Sequence, residues 1–153
     1  MDAPAKPSAL AKLSQPKLFN VVDRPRLFTL LDGERANHPV IWIAGPPGAG
    51  KTTLVASYLK ARELMAMWYQ VDSGEADIAT FFYYLAEAGR KAAGTKSLAL
   101  PLLTPEYLPT LREFARDFFR KLFASIPETT ILVLDNYQEV HTQSIFHAVI
   151  SGS

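Results

Sequence analysis

The chain has 153 residues, a formal net charge of +1 and no cysteine. This length suffices for one domain with a sizeable core, and the small net charge argues against a strong field for nucleic acids or membranes. The lack of cysteine excludes disulfides and thiolate metal sites, and it fits a reducing cytoplasm. No apolar run reaches the length of a membrane span, and the N-terminus lacks the apolar core of a signal peptide. We therefore expect a cytoplasmic globular protein.

The N-terminal region predicts a tail followed by a short helix. Residues 1–19 are rich in Ala, Pro, Lys and Ser, which is typical of a flexible segment. The predicted domain covers residues 20–153. Within it, Val21–Pro25 predicts an extended piece, because a proline disfavours helix in the residue before it. Arg26–Leu31 then predicts a short helix that ends at Asp32–Gly33.

The central motif of the chain is Gly45-Pro46-Pro47-Gly48-Ala49-Gly50-Lys51-Thr52-Thr53, which matches the phosphate-binding P-loop pattern G-x-x-x-x-G-K-[ST]. Before it, Val40–Ala44 is apolar and partly β-branched, which predicts a buried strand. After it, Thr53–Lys60 carries apolar residues at helical spacing. Because strand, glycine-rich turn and helix form the context that the motif requires, nucleotide binding is favoured over a chance glycine turn.

The glycines and prolines of this motif predict which backbone groups contact phosphate. Gly45, Gly48 and Gly50 permit backbone angles that let main-chain N–H groups converge on an anion. Pro46 and Pro47 have no N–H to donate, so the later amides would form the cradle. The N-terminus of the following helix would add its positive dipole end.

Four side chains are predicted to complete the site. Lys51 would contact the β- and γ-phosphates, and the Thr52 hydroxyl would bind Mg²⁺. Thr53 would either pack or assist the α-phosphate. Asp135 ends the apolar run Thr130–Asp135, which predicts a strand whose carboxyl end faces the ligand crevice. We expect Asp135 to hold Mg²⁺ opposite Thr52, and the alternative is an aspartate that only ends the strand in a turn.

Other segments predict the remaining elements. Met67–Val71 predicts a second strand, and 111–126 predicts an amphipathic helix that begins with a capping box formed by Thr110 and Glu113. Thr142–Ile150 predicts a last helix. An earlier helix is predicted from an apolar stripe that we interpret as core and not as a binding platform: Ile78, Phe81, Phe82, Leu85 and Gly89.

Five segments in order resemble the nucleotide-binding domain of the MalT-like STAND ATPases, which are multidomain LuxR-type regulators of bacterial transcription. The resemblance covers about residues 11–150, and the ordered set is more specific than the P-loop alone. The segments are Ala11–Pro16, Val22–Leu27, Trp68–Asp72, Phe81–Leu85 and Leu132–Val140.

This resemblance implies a P-loop NTPase fold of the ASCE or AAA-like class, with a parallel sheet between two helical layers. It implies that Gly45–Thr53 is the Walker A loop and Asp135 the Walker B acid. Val22 and Arg24 match a Val-x-Arg segment that lies near the adenine in related proteins. The implied ligands are ATP or ADP with Mg²⁺, and the implied role is a switch between nucleotide states.

Two departures from the family pattern shape the functional hypothesis. Many related ATPases carry a second acid after the Walker B aspartate, and here that position is Asn136, which orients water but cannot accept its proton. Glu139 is three residues further along. The family also has a sensor strand after Walker B, a lid, sensor repeats and a DNA-binding module. No such segment follows Asp135 here, so we expect the front part of a longer regulator, with its further domains or self-association as partners.

The leading hypothesis is therefore an ATP- or ADP-binding regulatory module with slow or no hydrolysis. An active AAA-type ATPase is the first alternative, and a remnant without activity is another. A small-molecule kinase would need an arginine-bearing lid, which the sequence does not show. We expect neither direct nucleic-acid binding nor membrane binding.

Overall fold

The structure of the protein is a computed structural model that describes residues 11–39, 41–71, 77–95 and 97–136. The predictions for residues 1–10, Glu139 and Thr142–Ile150 lie outside the described residues. The main elements are helices α1 (Pro25–Asn37), α2 (Lys51–Ala61), α3 (Ile78–Ala93) and α4 (Leu111–Ser125), a 3-10 helix (Pro105–Thr110), and strands β1 (Ala66–Gln70) and β2 (Ile131–Asp135).

These elements belong to two compact units. The P-loop unit is Gln15–Leu64, and it contains α1 and α2. The sheet unit combines residues 11–14 with the described residues from Met65 onward, and it contains both strands, α3 and α4. The predicted mixed α/β fold with a parallel sheet is confirmed at this level. No helix among the described residues is long and apolar enough to cross a membrane.

The core of the sheet unit lies between the strands and the helices α3 and α4. Strand β1 pairs with β2 in parallel, with Met67 opposite Leu132 and Gln70 opposite Asp135. The predicted stripe of α3 is confirmed as core, since four of its five members are buried: Phe81, Phe82, Leu85 and Gly89. Gly89 allows α3 to approach α4 closely, because a Cβ at this position would clash with the side chain of Leu122.

The prediction of a buried strand at Val40–Ala44 is wrong for the described residues 41–44. Their backbone forms no strand, and Ile41 and Ile43 are 37% exposed while Trp42 is 55% exposed. An apolar, β-branched run becomes a strand only where a neighbouring strand pairs with its N–H and C=O groups. Among the described residues, the sheet consists of β1 and β2 only, so this run has the composition of a strand without the pairing.

Helix α1 is longer than predicted. It continues through Asp32–Gly33, where an end was expected, and reaches Asn37. The amide side chain of Asn37 donates to the Gly33 carbonyl at 2.8 Å, and the His38 N–H donates to the Glu34 carbonyl at 2.8 Å. Gly33 does not take the left-handed conformation that ends a helix, so the helix passes through it.

The predicted capping box at the start of α4 is also wrong. Thr110 makes no side-chain cap, and its hydroxyl instead donates to the Tyr107 carbonyl at 3.5 Å. The reason is the preceding 3-10 helix, which ends at Thr110 and turns its side chain back toward that helix.

Candidate functional site

The loop that precedes α2 contains a tight turn. The Ala49 N–H donates to the Pro46 carbonyl at 3.1 Å, and Gly48 has a φ of +79°. A proline followed by a residue at positive φ is the signature of a type II turn. Pro47 and Gly48 therefore form its tip, and a side chain at position 48 would be strained.

The second feature of the loop is the glycine that caps α2. Gly50 has a φ of +83°, and its carbonyl accepts a hydrogen bond from the Leu54 N–H at 2.8 Å. Helix α2 thus begins at Lys51, directly after the glycine loop. The N–H groups in the first turn of an α-helix have no acceptor within the helix and point along its axis beyond the N-terminus, where they form the positive end of the helix dipole. This geometry favours an anion at the loop.

The side chain of Lys51 crosses the loop. Its ammonium Nζ donates to the Gly45 carbonyl at 2.6 Å. Lys51 and Thr52 are half-buried, while Thr53 is exposed. The predicted phosphate ligand Lys51 therefore lies beside the loop backbone, with its charge at the N-terminal end of α2.

A pocket of about 420 Å³ opens beside the N-terminal half of α2. Its volume falls within the range of roughly 300–1,000 Å³ typical of small-ligand sites. The walls come from the segment before α1 and from α2: Lys17, Leu18, Phe19, Asn20, Val21, Val22, Arg24, Gly50, Thr53, Leu54 and Ser57. The structure thus brings Val22 and Arg24, which the resemblance places near the adenine, to one pocket with part of the P-loop.

Arg24 contacts the P-loop directly, whereas Val22 is open to solvent. A Cβ placed on Gly50 would lie 3.3 Å from the Nη2 atom of Arg24, so the guanidinium packs against the glycine that begins α2. The side chain of Val22 is 81% exposed at the pocket mouth. Arg24 therefore places a guanidinium beside the glycine that caps α2, and Val22 adds an apolar surface to the same pocket.

A polar cluster joins α1 to the C-terminal part of α2, and we name Asp32, Tyr58 and Arg62 the Asp32 clasp. The guanidinium of Arg62 donates to both carboxylate oxygens of Asp32, with distances of 3.0 Å from Nε to Oδ1 and 2.7 Å from Nη2 to Oδ2. The Tyr58 hydroxyl donates to Asp32 Oδ1 at 2.8 Å. Two-point pairing of arginine with carboxylate fixes orientation as well as distance.

These bonds stabilise the ionised form of Asp32. The hydrogen bond from Arg62, and after it the one from Tyr58, lowers the pKa of Asp32 from 3.8 to about 2. Burial, followed by the bond to Asp32, raises the pKa of Tyr58. Because the folded pKa of Asp32 is depressed, its contribution to stability is complete above about pH 4 and is lost as the pH falls toward 2.

We therefore expect Asp32→Asn to lower the free energy of unfolding near neutral pH, and this deficit to shrink as the pH falls from about 4 to about 2. Below that range Asp32 itself is protonated, so the parent and the variant should converge. Urea unfolding at a series of pH values measures the difference. A deficit that stays constant across the range would contradict the assignment.

Asp135 lies at the carboxyl end of β2, as predicted. It is half-buried, and its Oδ1 accepts a hydrogen bond from the Asn136 N–H at 3.0 Å. Asn136 has a φ of +57°, so the chain turns directly after the strand. Asp135 belongs to the sheet unit and Thr52 to the P-loop unit, so joint binding of Mg²⁺ by these two residues stays a prediction.

The two predicted magnesium ligands carry oxygen donors. Mg²⁺ takes one or two protein oxygens and completes its shell with phosphate oxygens and water. The Thr52 hydroxyl and the Asp135 carboxylate are each a donor type that Mg²⁺ accepts, and they belong to different units. Within residues 11–39, 41–71, 77–95 and 97–136, no group of three or more His, Asp or Glu side chains is placed to hold a metal by itself.

Sequence reasoning missed the segment Lys17–Asn20 as a pocket wall and missed the whole Asp32 clasp. Asp32 is separated by 26 residues from Tyr58 and by 30 from Arg62, and no local pattern connects positions so far apart.

Comparison of the chain with family models, with curated proteins and with solved structures found no match.

Proposed function

We propose that this chain is a nucleotide-binding regulatory module that binds ADP or ATP with Mg²⁺ at Gly45–Thr53. The observation that carries the proposal is the continuity of three features: a glycine turn, a left-handed glycine cap at Gly50, and a helix that starts with Lys51. Together they place the N-terminal end of a helix and the Lys51 ammonium at the same glycine loop, an arrangement that suits a phosphate chain.

The adjacent pocket supports the proposal that a nucleoside lies next to that phosphate chain. Val22 offers an apolar surface, and Arg24 offers a guanidinium that packs against Gly50. The resemblance to STAND ATPases supports adenine as the base and a P-loop NTPase of the AAA-like class as the full fold. It also supports a role as a switch within a bacterial transcriptional regulator, with further domains of that regulator as partners.

The resemblance supports Mg²⁺ as the accompanying ion, with Thr52 and Asp135 as its expected ligands, and this ion would neutralise phosphate charge. The residue after Asp135 suits binding better than turnover. Asn136 follows Asp135 in a left-handed turn, and an amide cannot take the proton of an attacking water. We therefore propose a conformational switch with slow or no hydrolysis.

The proposal is tested by comparing two glycine variants, Gly50→Ala and Gly94→Ala. Both glycines have positive φ, +83° and +69° respectively, so alanine strains each backbone by about 1–2 kcal/mol. Only Gly50 caps the P-loop helix and contacts Arg24, whereas a Cβ on Gly94 would meet open space. Alanine at position 50 keeps the N–H, but relief of the strain at φ +83° would turn that N–H away from the phosphate. Since the loss of one hydrogen bond to a charged group costs about 1.5–3 kcal/mol, we expect Gly50→Ala to weaken Mg-ADP binding about 10–100-fold.

Isothermal titration of the parent and of both variants with Mg-ADP measures this difference. Gly94→Ala should bind as the parent does, although its unfolding temperature falls. Equal affinities for all three proteins would disprove the P-loop assignment, as would a parent that binds no nucleotide.

The rate of ATP hydrolysis distinguishes a nucleotide-binding switch from an active AAA-type ATPase. We expect phosphate release from Mg-ATP well below the rate of about 1 s⁻¹ at the low end of ordinary enzymes, because position 136 has no proton acceptor. A steady-state phosphate assay at saturating Mg-ATP measures it. Release at an ordinary enzymatic rate would favour the active AAA-type ATPase instead.

A further inference from the structure

The Asp32 clasp lies at the opposite end of α2 from the P-loop. Helix α2 runs from Lys51 to Ala61, a length of about 16 Å at 1.5 Å per residue. Its first turn carries the phosphate site, while Tyr58 and Arg62 lie at its far end and bind Asp32 of α1. One helix thus connects the phosphate site to the clasp.

An aromatic layer beneath the clasp completes the contact between the two helices. The rings of Phe28 and Tyr58 meet edge to face at 5.7 Å between centroids, and both are buried. The guanidinium of Arg62 lies 5.7 Å from each ring centroid, and that of Arg35 lies 5.9 Å from Tyr58. Cation–π contacts and the two-point ion pair together restrict rotation and sliding of α1 on α2.

Helix α1 in turn determines where Arg24 lies. Arg24 is the N-cap residue of α1, and its carbonyl accepts a hydrogen bond from the Phe28 N–H at 3.0 Å. Pro25 follows, and its ring restricts the backbone at the junction. A shift of α1 along α2 would therefore move the Arg24 guanidinium away from Gly50.

The segment before α1 that lines the pocket is also attached to α2 at its N-terminal end. The side-chain amide of Gln15 donates to the Ala56 carbonyl of α2 at 3.2 Å. Between Gln15 and Arg24 the segment forms no helix or strand, and the side chains of Phe19 and Val22 are exposed. The wall is thus a strap fastened at both ends to α2, and α1 provides the fastening at Arg24.

We infer that Asp32, Tyr58 and Arg62 are positioning residues that hold Val22 and Arg24 in place for the nucleoside part of the ligand. This inference rests on the proposed function and extends it, because it assigns the phosphate part to the loop and the nucleoside part to the clasped strap. Breaking the clasp should then weaken nucleotide binding and leave binding of a bare phosphate chain unchanged.

The test compares Mg-ADP with Mg-pyrophosphate as probes, using the parent and Asp32→Asn. We expect Asp32→Asn to bind Mg-ADP about tenfold more weakly, since the wall is no longer held, and to bind Mg-pyrophosphate as the parent does. Tyr58→Phe removes only the hydroxyl and keeps the buried ring, so it should show a smaller loss in the same direction. The double variant Asp32→Asn with Arg62→Gln should lose no more than the larger single loss, because either change already breaks the clasp.

Asp117→Asn is the matched control. Asp117 on α4 also pairs with two cations, Arg120 at 2.6 Å and Lys121 at 2.7 Å, but it belongs to the sheet unit. This variant should bind both probes as the parent does. Asp32→Glu keeps the charge and should recover part of the Mg-ADP affinity.

Three results would overturn the inference. Unchanged Mg-ADP binding by Asp32→Asn would show that the clasp does not position the wall. An equal loss for both probes would show a general structural role for the clasp. Equal affinity of the parent for Mg-ADP and Mg-pyrophosphate would show that the pocket wall contributes nothing to nucleotide affinity. The proposed phosphate binding by the P-loop would stand in that case. A parent that binds neither probe would instead refute the proposed function itself.

Discussion

Replacing Lys51 by alanine is expected to remove most of the thermal stabilisation that Mg-ADP gives the parent. A ligand present at about 100 times its dissociation constant stabilises the folded state by about 2.7 kcal/mol. For a protein of this size that corresponds to a rise in unfolding temperature of about 5–11 °C. Lys51 carries its ammonium at the loop, 2.6 Å from the Gly45 carbonyl, so its loss removes the charge that would meet the phosphates.

The size of the effect follows from the bond that is lost. If the affinity falls 100-fold, the upper end expected for a hydrogen bond to a charged group, the same ligand concentration stabilises the variant by only about 0.4 kcal/mol. The temperature shift then drops to about 1–2 °C. Thermal unfolding with and without Mg-ADP, followed by circular dichroism, provides the measurement.

Lys60→Ala is the control for Lys51→Ala. Lys60 is exposed in the last turn of the same helix, far from the loop. The substitution removes the same charge from the same helix, and it should keep the full shift of the parent. If nucleotide stabilises Lys51→Ala as strongly as the parent, the P-loop does not bind the phosphates.

The second large effect is expected in the core of the sheet unit. Phe82 is 2% exposed, and its ring lies 4.9 Å from that of Phe118 and 5.0 Å from that of Phe114, both on α4. Phe82→Ala removes the ring that connects α3 to α4 and leaves a cavity. We expect the free energy of unfolding to fall by about 3–5 kcal/mol, a large part of the roughly 5–15 kcal/mol of a typical domain.

Tyr83→Ala separates this packing effect from the loss of an aromatic residue in general. Tyr83 is the next residue on α3, and it is 53% exposed. Its replacement should cost about 1 kcal/mol or less. Urea unfolding of the parent and both variants measures the two effects, and similar losses for Phe82→Ala and Tyr83→Ala would show that Phe82 is not a core residue.

Local sequence predicted the elements that depend on local pattern. Residues at helical spacing in α3 and α4 are buried on one face, since the period of the pattern is the period of the helix. The strand that ends at Asp135 was also predictable, because its apolar run is bounded by a turn. The positive φ angles of Gly48 and Gly50 follow from backbone sterics, which each glycine carries by itself, whereas Gly45 has no positive φ.

The failures occurred where a partner distant in sequence decides the structure. Residues 41–44 have the composition of a strand, yet a strand also needs a neighbour, and local sequence does not specify one. Helix α1 passes through Gly33, and Asp32 beside it binds Arg62, which lies 30 residues away. Local sequence does not specify such a distant partner.

The sequence by itself therefore determined the glycine loop, the lysine at the start of a helix, and the aspartate at the end of a strand. These depend on residue type and on spacing within a few positions. Only the tertiary structure decided what lies beside the loop, namely the strap that contains Val22 and the guanidinium of Arg24 on Gly50, and what lies at the other end of α2, namely the Asp32 clasp. Those contacts join residues separated by tens of positions, and packing and hydrogen bonding in the folded chain bring them together.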